Sequence, residues 1–424
     1  MEVSAHRAFT LLRSLAHERL SASDAETEAA KTLLEAAQST GAQAHIEEFP
    51  VPCGRVHHAL LQVTAPYVKT YEATGYECAA STPEGGLDAP FLYAESVLPL
   101  NLRSAKGKAV LINGRLRRED YKKLKEAGVA AILTFSGTTL DRVSETDCDI
   151  RKLRETMIEP FGDAVALNLR AADAAEIVRR GATQMHIELT SECYEGTSHN
   201  VCAVVEGTKY PEEIISVGAH YDSVHFSSGV YDNMSGSVIV MELLRYFAAH
   251  KPARTIMFNW FGSEEQGLLG SKAWTKAHEA ELDKHLLMVN IDVAAATLGK
   301  NIAPVLATEQ AVGYVDALMR EIGVACDTRM DIYSSDCVPF ADHGVPAVNL
   351  CRFGVAGANY IHDRRDSLKS GYIDEKSLGI TLRQALALTE RVANAEACPI
   401  KREISDEIKK KVDEYLFKVE KKEK

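Results

Sequence analysis

Five residues of two chemical types stand at the ends of successive apolar runs: His220, Asp232, Glu265, Asp292 and His362. Imidazole nitrogen and carboxylate oxygen together form the ligand set that zinc-class metals favour. His220 and Asp232 lie in GAHYDSVHFSSGVYDNMSG, residues 218–236, with Asp222 between them. Glu265 follows Glu264 in FGSEEQGLLGS. Neighbours on an extended segment point to opposite sides, so one carboxylate can hold a metal while the other faces a reacting water. Asp292 closes NID after the run Leu286-Leu287-Met288-Val289, and His362 sits in YIHDRRD, four residues before Asp366. Singly, an Asp here reads as a turn or cap, a His as core or surface, and an EE pair as a solvated face. Together they fit a metal site better, because buried acids are rare unless paired or bound to a cation.

The elements that must position these residues alternate in type. Strands are expected at 201–205, 214–218, 255–261, 286–293, 304–307 and 347–351, and helices at 236–250, 268–278, 309–322 and 373–397. Such alternation implies an α/β fold with a mixed, mostly parallel central sheet flanked by helices. Ligands in such sheets sit beyond the carboxyl ends of the strands, which is where the five residues fall. Ahead of this region, residues 1–50 read as two helices, the second starting near Ser23, and a short strand 44–49 ending at Pro50. Residues 54–193 contain their own strands and helices (108–113, 120–127, 130–135, 164–169, 171–180) with no His/Asp/Glu cluster at ligand spacing. They read as a separate inserted module, leaving 1–53 and 194–424 as the main domain. Residues 404–424 form an amphipathic helix with Ile404, Ile408, Val412, Leu416 and Val419 on one stripe, expected to pack on the body or on a second subunit.

Bulk properties narrow the classes. The chain has 424 residues, 46% hydrophobic and 25% charged, with a net charge of −12. That charge argues against a nucleic-acid partner, whose phosphates are neutralised by Lys and Arg. No run approaches 18 apolar residues, so no membrane span is expected. The N-terminal segment reads as an amphipathic helix rather than a signal peptide. Nine scattered cysteines without a CxxC pair read as reduced thiols, and a cytoplasmic protein is the expectation.

The ordered motifs GAHYDS, YDNMSG, FGSEEQGLLGS, NID, SSDCVPF and YIHDRRD resemble the di-zinc exopeptidase family of aminopeptidase Y, glutamate carboxypeptidase and glutaminyl cyclase, over residues 196 to about 395. The stretch GKAVLINGRLRREDYKKLKEAGVAAILTFSG resembles the protease-associated domain, which family members often insert near the substrate entrance. A zinc-exopeptidase-like sheet with a smaller protease-associated-like insert is therefore implied. So are two zinc ions, with manganese or cobalt as possible occupants. The resemblance implies that His220, Asp232 and Asp292 bind one metal and that Glu265, His362 and the same Asp232 bind the other. It makes Glu264 the general base and has Asp222 support His220 from behind, with Asp366 a weaker candidate for a matching role near His362.

The sequence departs from the family in two places. Ile361 stands where several members carry the Tyr before the last His, and Tyr360 is one position earlier. Cys337 stands where a His is common, so Ser335 and Asp336 are read as structural or pocket-lining. Tyr360 and Arg352 remain candidate substrate-binding residues, and His225 has no assigned role. The implied function is hydrolysis of short peptides from one end, first as an aminopeptidase. A carboxypeptidase, dipeptidase or amide-directed hydrolase on the same fold is the alternative, and a non-catalytic binding protein a third. A peptide substrate and a possible homo-oligomer complete the expected partners.

Overall fold

The computed structural model describes residues 2–142, 144, 146–354 and 361–419. The chain divides into two compact units, Met1–Val51 with Thr197–Lys424, and Pro52–Gly196.

In the first unit the apolar runs become a sheet ordered Asp327–Met330, Lys300–Leu306, Ala347–Phe353, His285–Ile291, Tyr210–His220, Arg254–Phe261, and the final residues of Gln184–Val205. The three pairings among Ala347–Phe353, His285–Ile291, Tyr210–His220 and Arg254–Phe261 are parallel, as is that between the first two strands of the order, whereas Lys300–Leu306 meets Ala347–Phe353 antiparallel. Gln184–Val205 pairs antiparallel with Arg254–Phe261. The sheet is mixed and mostly parallel. Its central strands are apolar on both faces because helices cover both. Val217, Phe258 and Val289 join one core with Phe9, Leu33, Val238 and Leu382 from the helices Ala5–Ser14, Asp24–Gln38, Ser235–Ala249 and Glu375–Asn394. Their strand neighbours Phe261, Cys202 and Met288 join another core with Trp274, Phe340 and Ile408. Ile408 and Val412 are the buried residues of the helix Asp406–Tyr415, capped by Ser405, so the described part of the tail packs on this unit.

The second unit carries a sheet ordered Leu87–Glu95, Ala109–Ile112, Ala131–Ser136, Ala166–Arg170, Ala73–Glu77 and Arg151–Lys152, with a core of its own. The helix Arg118–Glu126 links the parallel strands Ala109–Ile112 and Ala131–Ser136, and the helix Ala171–Arg179 follows Ala166–Arg170.

Two expectations are corrected. The strand expected to stop at Pro50 runs from Gln43 to Ala65. Proline fixes φ at a value that extended backbone also adopts, so Pro50 and Pro52 do not break it. The cysteines are not all reduced: Cys78 and Cys193 form a disulfide, with Cα atoms 4.9 Å apart across 115 positions of sequence. No local spacing signals a pair that distant, and the cysteine pattern no longer argues for a reducing compartment. Among the described residues no helix is long and apolar enough to cross a membrane.

Candidate metal centre

Register brings the motifs together. Gly218 lies level with Asn259 on one side and Asn290 on the other, and Asn290 is level with Asn349. The carboxyl ends of four strands thus deliver His220, Glu264-Glu265, Asp292 and, further along the chain from the fourth, His362 to one place.

Asp232 is the centre of that place. Its Oδ1 lies 3.2 Å from His220 Nε2, and its Oδ2 lies 3.3 Å from His362 Nε2. His220 Nε2 is also 3.7 Å from Asp292 Oδ1 and 3.9 Å from Glu264 Oε2. His362 Nε2 is 2.8 Å from Glu265 Oε2. Each imidazole therefore turns one nitrogen into a shell of carboxylate oxygens, and one carboxylate serves both. Nδ1 of His220 is 3.3 Å from Asp222 Oδ1, off line for a hydrogen bond. The Asp222 carboxylate instead accepts the backbone N–H groups of Glu264 (3.0 Å) and Glu265 (3.1 Å). It orients the EE pair as well as standing behind His220.

The loop carrying Asp232 is held from three sides. Asn233 donates to the Ile291 carbonyl (2.8 Å) and accepts from Gly236 and Val293 N–H, locking the loop to the strand end that bears Asp292. Gly236 is required there, because a Cβ would lie 2.2 Å from the Ile291 oxygen. Asp366 accepts the N–H groups of Tyr231 (2.7 Å) and Asp232 (3.0 Å). Its hydrogen bonds serve the Asp232 loop, whereas sequence proximity suggested His362. Arg19 is wholly buried and donates to the carbonyls of Leu15, His17, Tyr221, Ser228 and Gly229. Glu26, buried, accepts from Ser198 Oγ and Ala22 N–H, and Ser263 Oγ lies 3.5 Å away, next to Glu264. Sequence reading missed Arg19, Asn233 and Glu26. Arg19 and Glu26 look like ordinary charged helix-region residues, and only burial reveals their use.

The electrostatics call for a cation. Burial pushes Glu264, Glu265 and Asp292 above the ordinary carboxylate range. It lifts Asp336 to about 7. Burial opposes ionisation of Asp232 as well, but the His220 and His362 imidazoles hold it below its usual value. Buried carboxylates in this number, faced chiefly by two imidazoles, lack positive charge. The mixed nitrogen and oxygen donors suit zinc-class ions. The donor atoms of His220, Asp232 and Glu265 all lie within 4.8 Å of one another.

The other candidates fare differently. Arg352 donates to the Ala296 carbonyl and to Asn301 Oδ1, both at 2.9 Å, tying neighbouring strand ends together. Tyr360 lies outside the described residues. His225 is half-buried beside Phe226.

A mostly parallel α/β sheet with a histidine–carboxylate metal centre beyond its strand ends is the class these features define. Residues 200–389 match the model of peptidase family M28. Carboxypeptidase Q of Mus musculus is 26% identical over 297 residues, covering 65% of this chain and 61% of its own length. Aminopeptidase YwaD of Bacillus subtilis (strain 168) is 26% identical over 296 residues, covering 64% and 59%. The match thus spans about three fifths of the length of these curated relatives. The fold is shared with the zinc aminopeptidase BSAP from Bacillus subtilis, at a TM-score of 0.77 and 22% identity over 96% of this chain and 99% of that one.

Proposed function

We propose that this protein is a binuclear metal-dependent exopeptidase that removes residues from the amino end of short peptides. The observation that carries the reading is Asp232, with one carboxylate oxygen toward each imidazole. His220, Asp292 and Asp232 Oδ1 would hold one zinc, and His362, Glu265 and Asp232 Oδ2 the other. Zinc held in this way polarises a carbonyl and lowers the pKa of water. Glu264 takes the proton from the attacking water and returns it to the leaving amine, acting first as base and then as acid. Asp222 keeps Glu264 and Glu265 aimed by accepting their backbone N–H groups.

Support for the amino end comes from aminopeptidase YwaD among the relatives. Carboxypeptidase Q among them makes carboxyl-end cleavage the second reading. Assays of aminoacyl-nitroanilides beside amino-blocked and carboxyl-blocked dipeptides separate the two. Cleavage of only amino-blocked substrates overturns the first. Glu264→Gln should retain its metal and lose turnover by at least about a hundredfold, the scale of a positioned acid–base group. Near-normal turnover removes Glu264 as the base.

A further inference from the structure

A second set of metal donors lies in the same unit, composed of residues the centre above does not use. His45 and Glu47 alternate along the Gln43–Ala65 strand, so their side chains leave it on one face. Cys202 lies on the Gln184–Val205 strand, which pairs with it. The donor atoms of His45, Glu47 and Cys202 all lie within 4.8 Å of one another. His278, at the end of the helix Leu269–Ala277, adjoins the group through Glu47: its Nε2 is 2.9 Å from Glu47 Oε1, and His45 Nε2 is 3.1 Å from the same oxygen.

We propose that His45, Glu47, Cys202 and His278 form a separate site for one zinc-class cation, with the Cys202 sulfur as a ligand. Two features favour a cation over a simple ion-pair network. The ring of His278 is held in place, stacked on Trp274 (centroids 4.3 Å apart, 17° between planes) with Nδ1 2.5 Å from Glu281 Oε1. With Glu47 on Nε2 and Glu281 on Nδ1 the ring favours its protonated form, so a cation at Nε2 displaces that proton to solvent while Glu281 keeps the ring oriented. An ion-pair network accounts for Glu47 between two histidines; the thiol of Cys202, which also packs in the core, adds a sulfur donor within reach of both His45 and Glu47.

Ligation draws the donors inward from the 4.8 Å within which His45, Glu47 and Cys202 lie. Zinc–sulfur and zinc–nitrogen bonds of about 2.3 and 2.1 Å put tetrahedral ligands about 3.3 to 3.8 Å apart. The side chain of His45 is 58% exposed and can swing to close the remaining distance. Burial holds the Cys202 thiol well above its usual pKa, with Glu47 adding to the effect. Metal binding therefore releases the thiol proton to solvent as the thiolate bonds the cation. The bound ion would tie the first strand of this unit to the helix that follows the Glu264–Glu265 loop.

Cobalt(II) titration of the metal-free full chain tests this site apart from the other centre, whose donors include no sulfur. One thiolate-to-cobalt charge-transfer band in the near ultraviolet should saturate at one ion per chain. It should vanish in Cys202→Ser, and in His45→Ala and His278→Ala it should need at least about tenfold more cobalt, the usual loss for a disturbed ligand shell. Cys202→Ser should still bind metal at the His220 centre. Absence of the band in the wild type, its persistence in Cys202→Ser, or its indifference to both histidine changes overturns the proposal. Should the serine variant not fold, the surface change His45→Ala decides the matter alone.

Discussion

At the residue scale, Asp232 and His220 make unequal demands on the centre although they are 3.2 Å apart. Asp232 faces both imidazoles, whereas His220 faces only one side of the donor set. On the proposed two-ion reading, Asp232→Asn should therefore lower occupancy of both positions. His220→Ala should chiefly weaken one, leaving about one ion per chain after dialysis against a weak chelator. Metal analysis of the two purified variants checks the contrast, and equal losses count against a shared carboxylate. Asp222 is instructive in the same way. Its type and position suggested support for His220, but its two oxygens are occupied by the backbone of the EE pair. The residue was legible as important; which atoms it serves was not.

At the scale of elements, the strand His285–Ile291 begins on a histidine buried against Trp274 and Phe340. Burial, helped by the charges of His278 and Arg402, lowers the pKa of His285 from 6.5 to about 4. A folded pKa below the unfolded one means the folded state resists protonation. The contribution to stability is then full above pH 6.5 and is lost progressively as pH falls toward 4. Full loss amounts to about 3 kcal/mol by linkage. His285→Asn can keep a partner for Ser216 Oγ, now 2.8 Å from Nδ1. It should flatten the fall in unfolding free energy between pH 6.5 and 4, measured by urea titration against the wild type. An unchanged slope removes His285 as a source of acid lability.

At the scale of the whole molecule, the two units are stabilised by different means. The first buries large cores on both faces of its sheet, whereas Pro52–Gly196 has one core and the Cys78–Cys193 crosslink. Closing a loop of 115 residues restricts the unfolded chain by about 4 to 5 kcal/mol in the chain-entropy picture. Replacing both cysteines by serine should lower the midpoint of the transition belonging to Pro52–Gly196 and direct limited proteolysis there first. Metal content at the His220 centre should be unchanged. No shift in that transition would show that the crosslink adds little to this unit.

Hydrophobic periodicity and residue type by themselves marked the α/β alternation, the strands that end at the centre, and the five candidate donors that the fold brings together there. Local rules suffice for these because a strand buried on both faces must be apolar throughout, and acids at its end need a partner. Tertiary structure alone decided how the donors share Asp232, that Asp366 and Asn233 hold its loop, and that Arg19 is a buried strut. It also decided the pairing of Cys78 with Cys193 and the meeting of His45, Glu47, Cys202 and His278. Each of these depends on contacts between segments far apart in sequence. A side chain's type says what it can bind, but only the packed register of the strands says what it meets.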